Sequence, residues 1–300
     1  MPLTESAGLE KVAGQAAEID GDPTRFVDRY IQVGTIKARY WAAGEGGAPI
    51  VLLHGFGASV ELWRFTLPAL AKHHRVLAVD LPGFGRSDKP EAPYTLSYLA
   101  AFVRDFLDAM GMPRATLVGN SLGGGVALRF ALDFPARLER LGLVAPAALG
   151  RGGSPLLRLM SLPGVGELLS RPSRAGTARL FRLATHNPAV VTDTIVDEAY
   201  QLARLPGTQR GFLGALRALV NPLGQRREIF GPILDGLPLI AAPTLVLWGR
   251  QDRFVPVAHA GAARAISGVR VEVWDPCGHL PMIERPGKFS ALLLDFLSQK

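Results

Sequence analysis

Gly119-Asn120-Ser121-Leu122-Gly123 constrains this chain more than any other stretch. Residues 114–118 before it are short and apolar, as a buried strand should be. Residues 123–134 after it are rich in Ala, Leu and Gly and predict a helix. A serine at such a strand-to-helix junction sits on a sharp, strained turn that pushes its hydroxyl out of the sheet. The flanking glycines let that turn form without Cβ clashes. The helix then points its N-terminus at whatever anion forms there. The arrangement suits a nucleophile.

The rest of the chain repeats the same alternation. Strands are expected at residues 25–32, 35–43, 49–53, 75–79, 114–118, 138–144, 243–248 and 269–274. Helices are expected near residues 59–72, 96–110, 123–134, 256–266 and 286–297. Strands alternating with helices imply an α/β fold with a doubly wound, mostly parallel sheet of eight strands. The first two strands flank Gly34 and predict an antiparallel leading edge. Between about residues 147 and 236 the rhythm breaks into helical leucine patterns with no convincing strand, eleven arginines and no lysine. This stretch reads as a helical cap inserted over the strand ends. The expected organisation is a leader at 1–24, a core at 25–146 and 237–300, and a cap at 147–236.

Composition narrows the function classes. At 48% hydrophobic and 20% charged, the chain matches a soluble globular protein. No uninterrupted apolar run of about 18 residues occurs, so no membrane span is expected. The first twenty residues lack a basic start followed by an apolar block, which makes cytoplasmic the default location. Cys277 is the sole cysteine, so an intramolecular disulfide is excluded and a zinc site is not expected. Cys277 reads as a small loop residue rather than a second nucleophile. The net charge of +7 comes without a basic run interleaved with aromatics, so no nucleic-acid partner is expected. The basic, leucine-rich cap leaves peripheral lipid contact open.

A serine hydroxyl needs an adjacent base, most often histidine. Of six histidines, His54 and His279 sit where a strand's carboxyl end places them near Ser121. His54 belongs to a glycine-rich turn whose backbone has another task, so His279 is the candidate base. Asp252, at the end of the neighbouring strand, is the candidate orienting carboxylate. Asp80 is read instead as a turn aspartate before Leu81-Pro82-Gly83. A tetrahedral oxyanion needs two donors, for which the N–H groups of Leu122 and Phe56 are the candidates, with Gly57 second.

Four motifs resemble the α/β-hydrolase superfamily: His54-Gly55-Phe56-Gly57, residues 80–87, residues 119–124, and the Asp252 and His279 loops. The chain order Ser…Asp…His is the same. The resemblance covers residues 30–297, the cap least. It implies an eight-stranded α/β-hydrolase fold with no metal and no organic cofactor. It also implies that Gly55, Gly57, Asn120 and Leu280 border the substrate. Ser121 disfavours the epoxide-hydrolase and dehalogenase branches, which use an aspartate. Gly-Asn-Ser-x-Gly-Gly is similar to hydrolases that cleave carbon–carbon bonds in ring-fission products. Those enzymes usually carry tryptophan after the base histidine and a cap arginine for the substrate carboxylate, whereas here Leu280 follows His279. Residues 280–286 look more like the esterase and lipase branch. The leading expectation is therefore a serine hydrolase of small apolar esters, with carbon–carbon hydrolysis as the alternative. A non-catalytic binding protein on the same fold is disfavoured because all three members of the triad are present.

Overall fold

The computed structural model describes residues 26–299. The expected leader at 1–24 lies outside the described residues. Strands β1 (Arg29–Val33) and β2 (Ile36–Ala43) form an antiparallel hairpin around Gly34, whose φ of 57° is a conformation that glycine adopts without a Cβ clash. Strand β3 (Ile50–Leu53) follows, then α1 (Leu67–Leu70) and β4 (Val76–Val79). Helix α2 (Leu96–Ala109) is capped by Thr95, whose hydroxyl accepts the Tyr98 N–H at 3.2 Å. Next come β5 (Ala115–Asn120), α3 (Leu122–Asp133) and β6 (Leu138–Val144).

A helical stretch then intervenes. It comprises α4 (Pro155–Met160), α5 (Val165–Leu169), α6 (Arg174–Ala184), α7 (Asp193–Ala203) and α8 (Thr208–Leu219). A two-stranded hairpin, β7 (Val220–Asn221) with β8 (Gly224–Gln225), and α9 (Arg227–Gly236) close it. The chain returns to the sheet with β9 (Thr244–Gly249) and β10 (Arg270–Trp274), and ends in α10 (Pro281–Glu284) and α11 (Pro286–Ser298).

The main sheet has eight strands in the order β1-β2-β4-β3-β5-β6-β9-β10. Only the β1–β2 and β2–β4 pairs are antiparallel. Ile50, Val51, Leu52 and Leu53 are all buried, as a strand covered on both faces requires. Each such side chain contributes about 1.5–3 kcal/mol on leaving water. From β3 the chain moves one way to β4, then crosses to β5 on the other side. Ligands in open α/β sheets bind at such a reversal, beyond the carboxyl ends of the strands. The turn after β3 and Ser121 after β5 both lie there.

Three local expectations are corrected. The helix expected at 59–72 is a 3-10 turn, Val60–Trp63, followed by the short α1. Pro68 has no N–H to continue an α-helical ladder through this stretch. The helix expected at 256–266 is 3-10, Val257–Ala265, with Gly261 at its middle. The stretch expected to lack strands contains the β7–β8 hairpin, whose two-residue strands are too short to show a periodic pattern.

Candidate active site

Ser121 stands between β5 and α3 at φ 55° and ψ −113°, a conformation rare for any residue but glycine. The turn is crowded. A Cβ on Gly119 would strike the backbone of Gly123, and a Cβ on Gly123 would strike the carbonyls of Leu53 and His54. Gly123 donates its N–H to His54 O at 3.1 Å, which ties this turn to the one after β3. Gly55 approaches so closely that a Cβ there would lie 3.0 Å from both Asn120 Oδ1 and Ser121 Cβ. Gly57 is held at φ 65°. Leu122 is the first residue of α3, so its N–H has no intrahelical acceptor.

Asp252 lies in the loop after β9 with its carboxylate fully buried. Oδ1 accepts the N–H groups of Phe254 at 2.8 Å and Val255 at 2.9 Å. Oδ2 meets His279 Nδ1 at 2.6 Å. With Oδ1 taken by two backbone N–H groups, Oδ2 is the oxygen that faces the ring, and the hydrogen-bond network assigns the tautomer that donates from Nδ1. Nε2 is left with its lone pair free. The backbone of His279 is fixed from both sides: its N–H donates to Ala184 O at 2.7 Å, and its carbonyl accepts from Asn120 Nδ2 at 3.2 Å. Phe254 packs its ring against the imidazole, with centroids 5.4 Å apart.

Ser121, His279, Gly55, Phe56, Gly57, Asn120 and Leu280 all line one small cavity of about 60 Å³. The structure thus brings the sequence-derived candidates together, with Asp252 behind His279. Asn120 has a further role besides lining the cavity. Both hydrogen bonds of its Nδ2 go to backbone, to Val144 O and His279 O, so the amide braces the histidine loop. Leu157, Leu180, Phe181 and Phe212 from the helical stretch complete the wall. No lysine or arginine lines it among the described residues.

A larger cavity of about 580 Å³ adjoins, sharing Gly57, Leu180, Phe181 and Phe212. Leu156, Leu159 and Leu169 line it with Met160, Leu157 lines the smaller one, and Leu168 faces solvent. Arg64 on its wall is bound to Glu198 of α7.

The other histidine and cysteine candidates are placed elsewhere. His54 is completely buried; its Nε2 accepts the Leu81 N–H at 3.0 Å, so Nδ1 carries the proton and donates to Gly55 O at 2.8 Å. Burial holds its pKa below the usual histidine value. Cys277 is buried with its thiol pushed up to about 12 by burial and by Glu284, which suits no nucleophile. Asp80 is structural: Oδ1 accepts Val60 N–H and Oδ2 accepts Arg86 N–H, each at 2.8 Å. Among the described residues no group of three or more His, Cys, Asp or Glu side chains is placed to hold a metal ion.

Sequence reading missed Glu284. Its Oε1 accepts Gly278 N–H at 2.8 Å, and Oε2 accepts His186 N–H at 2.8 Å and Asn187 N–H at 3.3 Å. It therefore stitches the loop before His279 to the segment after α6. The only signal for it was its place five residues beyond the histidine.

Comparison with known proteins follows the same lines. Residues 48–286 match the family described as the alpha/beta hydrolase fold. The dihydrolipoyllysine-residue acetyltransferase component of the acetoin cleaving system of Cupriavidus necator is 33% identical over 296 residues, covering 96% of this chain and 72% of its own. The 2-hydroxy-6-oxo-6-phenylhexa-2,4-dienoate hydrolase of Comamonas testosteroni is 32% identical over 269 residues, covering 87% of this chain and 91% of its own. The solved meta-cleavage product hydrolase of Pseudomonas fluorescens IP01 superimposes with a TM-score of 0.75 at 27% identity, covering 89% of this chain and 96% of its own. Eight strands in this order, a strained serine after the fifth and a family match across most of the chain lead to one conclusion: the protein is a hydrolase of the alpha/beta hydrolase fold family.

Proposed function

We propose that Ser121 is the nucleophile, His279 its base and Asp252 the carboxylate that orients the base. Ser121 Oγ attacks a substrate carbonyl while His279 Nε2 takes its proton. The N–H groups of Leu122 and Phe56 bind the oxyanion, each worth about 10²–10³ in rate. Collapse expels the leaving group, which takes the proton from Nε2. Water, activated by the same nitrogen, then releases the acyl group from Ser121. The helices between β6 and β9 act as a cap whose side chains shape the substrate.

The function that the geometry supports best is hydrolysis of neutral, apolar carboxylic esters. One observation carries this reading: the cavity at Ser121 holds no cation, its lining apart from Asn120, Ser121 and His279 is apolar, and the arginines of the adjoining cavity (Arg64, Arg171 and Arg179) do not line it. A dienoate carboxylate buried there without a partner would be strongly disfavoured. Carbon–carbon hydrolysis is the second reading, and the relatives favour it. The Comamonas and Pseudomonas proteins named above are a dienoate hydrolase and a meta-cleavage product hydrolase. On that reading the substrate carboxylate meets Arg171 or Arg179, which line the larger cavity, and the proton from Nε2 goes to carbon.

The test is a panel of p-nitrophenyl esters from acetate to octanoate beside a 2-hydroxy-6-oxo-dienoate. Ester hydrolysis is expected to exceed dienoate cleavage in kcat/KM and to improve with acyl length as the larger cavity fills. A dienoate kcat/KM above that of the best ester transfers the assignment to the carbon–carbon reading. Turnover of neither class removes both.

Glu284 acts on the same reaction as a positioning residue. Glutamine keeps its shape but offers one acceptor where the carboxylate offers two, so either Gly278 or His186 and Asn187 must lose a partner. Glu284→Gln is expected to lower kcat roughly ten- to a hundredfold with KM little changed, since misplacing a catalytic group by about 1 Å costs on that order. A kcat within twofold of the parent would show that the tether does not hold the base.

A further inference from the structure

We propose that the corner formed by α4 and α5 docks on an anionic phospholipid surface. The inference concerns a face outside the catalytic residues and does not depend on which bond Ser121 cleaves.

Leu159, Leu162, Leu168 and Leu169 are 47%, 36%, 58% and 45% exposed, and all lie within eleven positions, on two helices packed against each other and the turn that joins them. Large apolar side chains scattered singly on a surface carry no message, whereas a contiguous cluster marks an interaction site. These leucines also continue inward. Leu159 and Leu169 line the cavity of about 580 Å³, so the patch forms part of its rim. Hydrocarbon outside the protein therefore meets hydrocarbon leading towards Ser121.

Charge indicates which apolar surface fits. Arg171 and Arg179 line the same cavity and are exposed, and neither has an ion pair among the described residues. The acid on this corner, Glu167, is already paired with Arg217. Arg174 is engaged by Asp193 and Asp197 and adds nothing. The rim thus offers leucines beside uncompensated guanidinium groups. A bilayer edge that carries phosphate above acyl chains is complementary to both. A second copy of this face would meet the same positive charge and be repelled.

Co-sedimentation of the full chain tests this with vesicles of phosphatidylcholine alone and of phosphatidylcholine mixed with phosphatidylglycerol. Binding is expected to the mixed vesicles, to weaken with added salt, and to be about 30-fold weaker for Arg171→Gln/Arg179→Gln, since each cation near such a surface contributes about fivefold. Leu162→Ser/Leu168→Ser is expected to lose at least about tenfold in vesicle affinity. Neither of those residues lines either cavity, so this variant keeps its thermal midpoint and its hydrolysis of a soluble short ester. Failure to bind, or equal binding to neutral and anionic vesicles, overturns the proposal. So does self-association of the parent chain that the leucine variant abolishes. Loss of ester turnover with binding retained would strike the catalytic reading and leave this one standing.

Discussion

Ser121→Ala is expected to lower kcat by about 10⁶, the loss seen when a nucleophile that acts as a unit with its base is removed. The fold should survive unchanged. Ser121→Gly is expected to be equally inactive but more stable than the parent by about 1–3 kcal/mol. The reasoning is conformational. Ser121 sits at φ 55° and ψ −113°, where a Cβ is strained and glycine is not. Alanine keeps the Cβ and the strain; glycine removes both. The native structure holds the serine there through the Ser121 N–H donated to Val144 O at 3.0 Å and the Ala147 N–H donated to Ser121 O at 2.9 Å. Ester turnover together with chemical denaturation of the three proteins separates chemistry from strain. If Ser121→Gly is less stable than the parent, the backbone strain is not what the serine brings to the turn. If Ser121→Ala retains turnover, another group is the nucleophile.

The residues that converge on Ser121 were legible because each stands at a strand's carboxyl end, and the strands themselves were legible as unbroken apolar runs. A parallel sheet covered on both faces leaves little room for polar residues inside a strand, so β3 and β9 have clear edges. Once β9 and β10 are placed side by side, Asp252 and His279 follow from loop length alone. What stayed hidden depends on packing between distant segments. Leu168 and Leu169 are neighbours in sequence, yet only Leu169 reaches the cavity. Nothing in the sequence separates the two, because α5 is a single short turn with no period to assign a face. That Asn120 also braces the histidine loop stayed hidden, because it needs the carbonyl of His279, 159 positions away. The 3-10 turns were lost for a related reason, since their composition is that of an α-helix and only the ladder differs.

The charged cluster behind the turn after β3 was the least legible feature, and it supports the second large effect. Arg39 is buried on β2 and meets Asp28, Glu61 and Asp80, residues spread over more than fifty positions. Its Nε donates to Asp28 Oδ1 at 2.7 Å, its Nη2 to Glu61 Oε1 at 2.6 Å and its Nη1 to Asp80 Oδ2 at 3.2 Å. Burial pushes the Asp80 carboxyl above its usual range against the pull of Arg39. Burial pushes Glu61 the same way, but there the charge and hydrogen bonds of Arg39 prevail and hold it low. Arg39→Met keeps the volume and removes the cation, leaving two buried carboxylates facing each other. Breaking a buried pair in this way is expected to cost about 3–5 kcal/mol at neutral pH. The sign with pH follows. Without Arg39, burial and mutual repulsion raise both carboxyls in the folded state above their unfolded values near 4. The variant then binds protons on folding, so its stability is greatest below the unfolded pKa and falls as pH rises through the raised folded values. Denaturant midpoints of the parent and Arg39→Met should therefore lie closer together at about pH 5 than at about pH 8. A gap that does not change with pH would mean that the arginine's packing, not its charge, is what the fold requires. Asp80 also holds the Val60 N–H, and His54 beside it holds Leu81, so the same cluster sets the floor beneath the turn that carries Phe56. Activity in the variant should accordingly fall at denaturant concentrations where the sheet is still folded, since the Phe56 N–H depends on a turn braced from below by these charges.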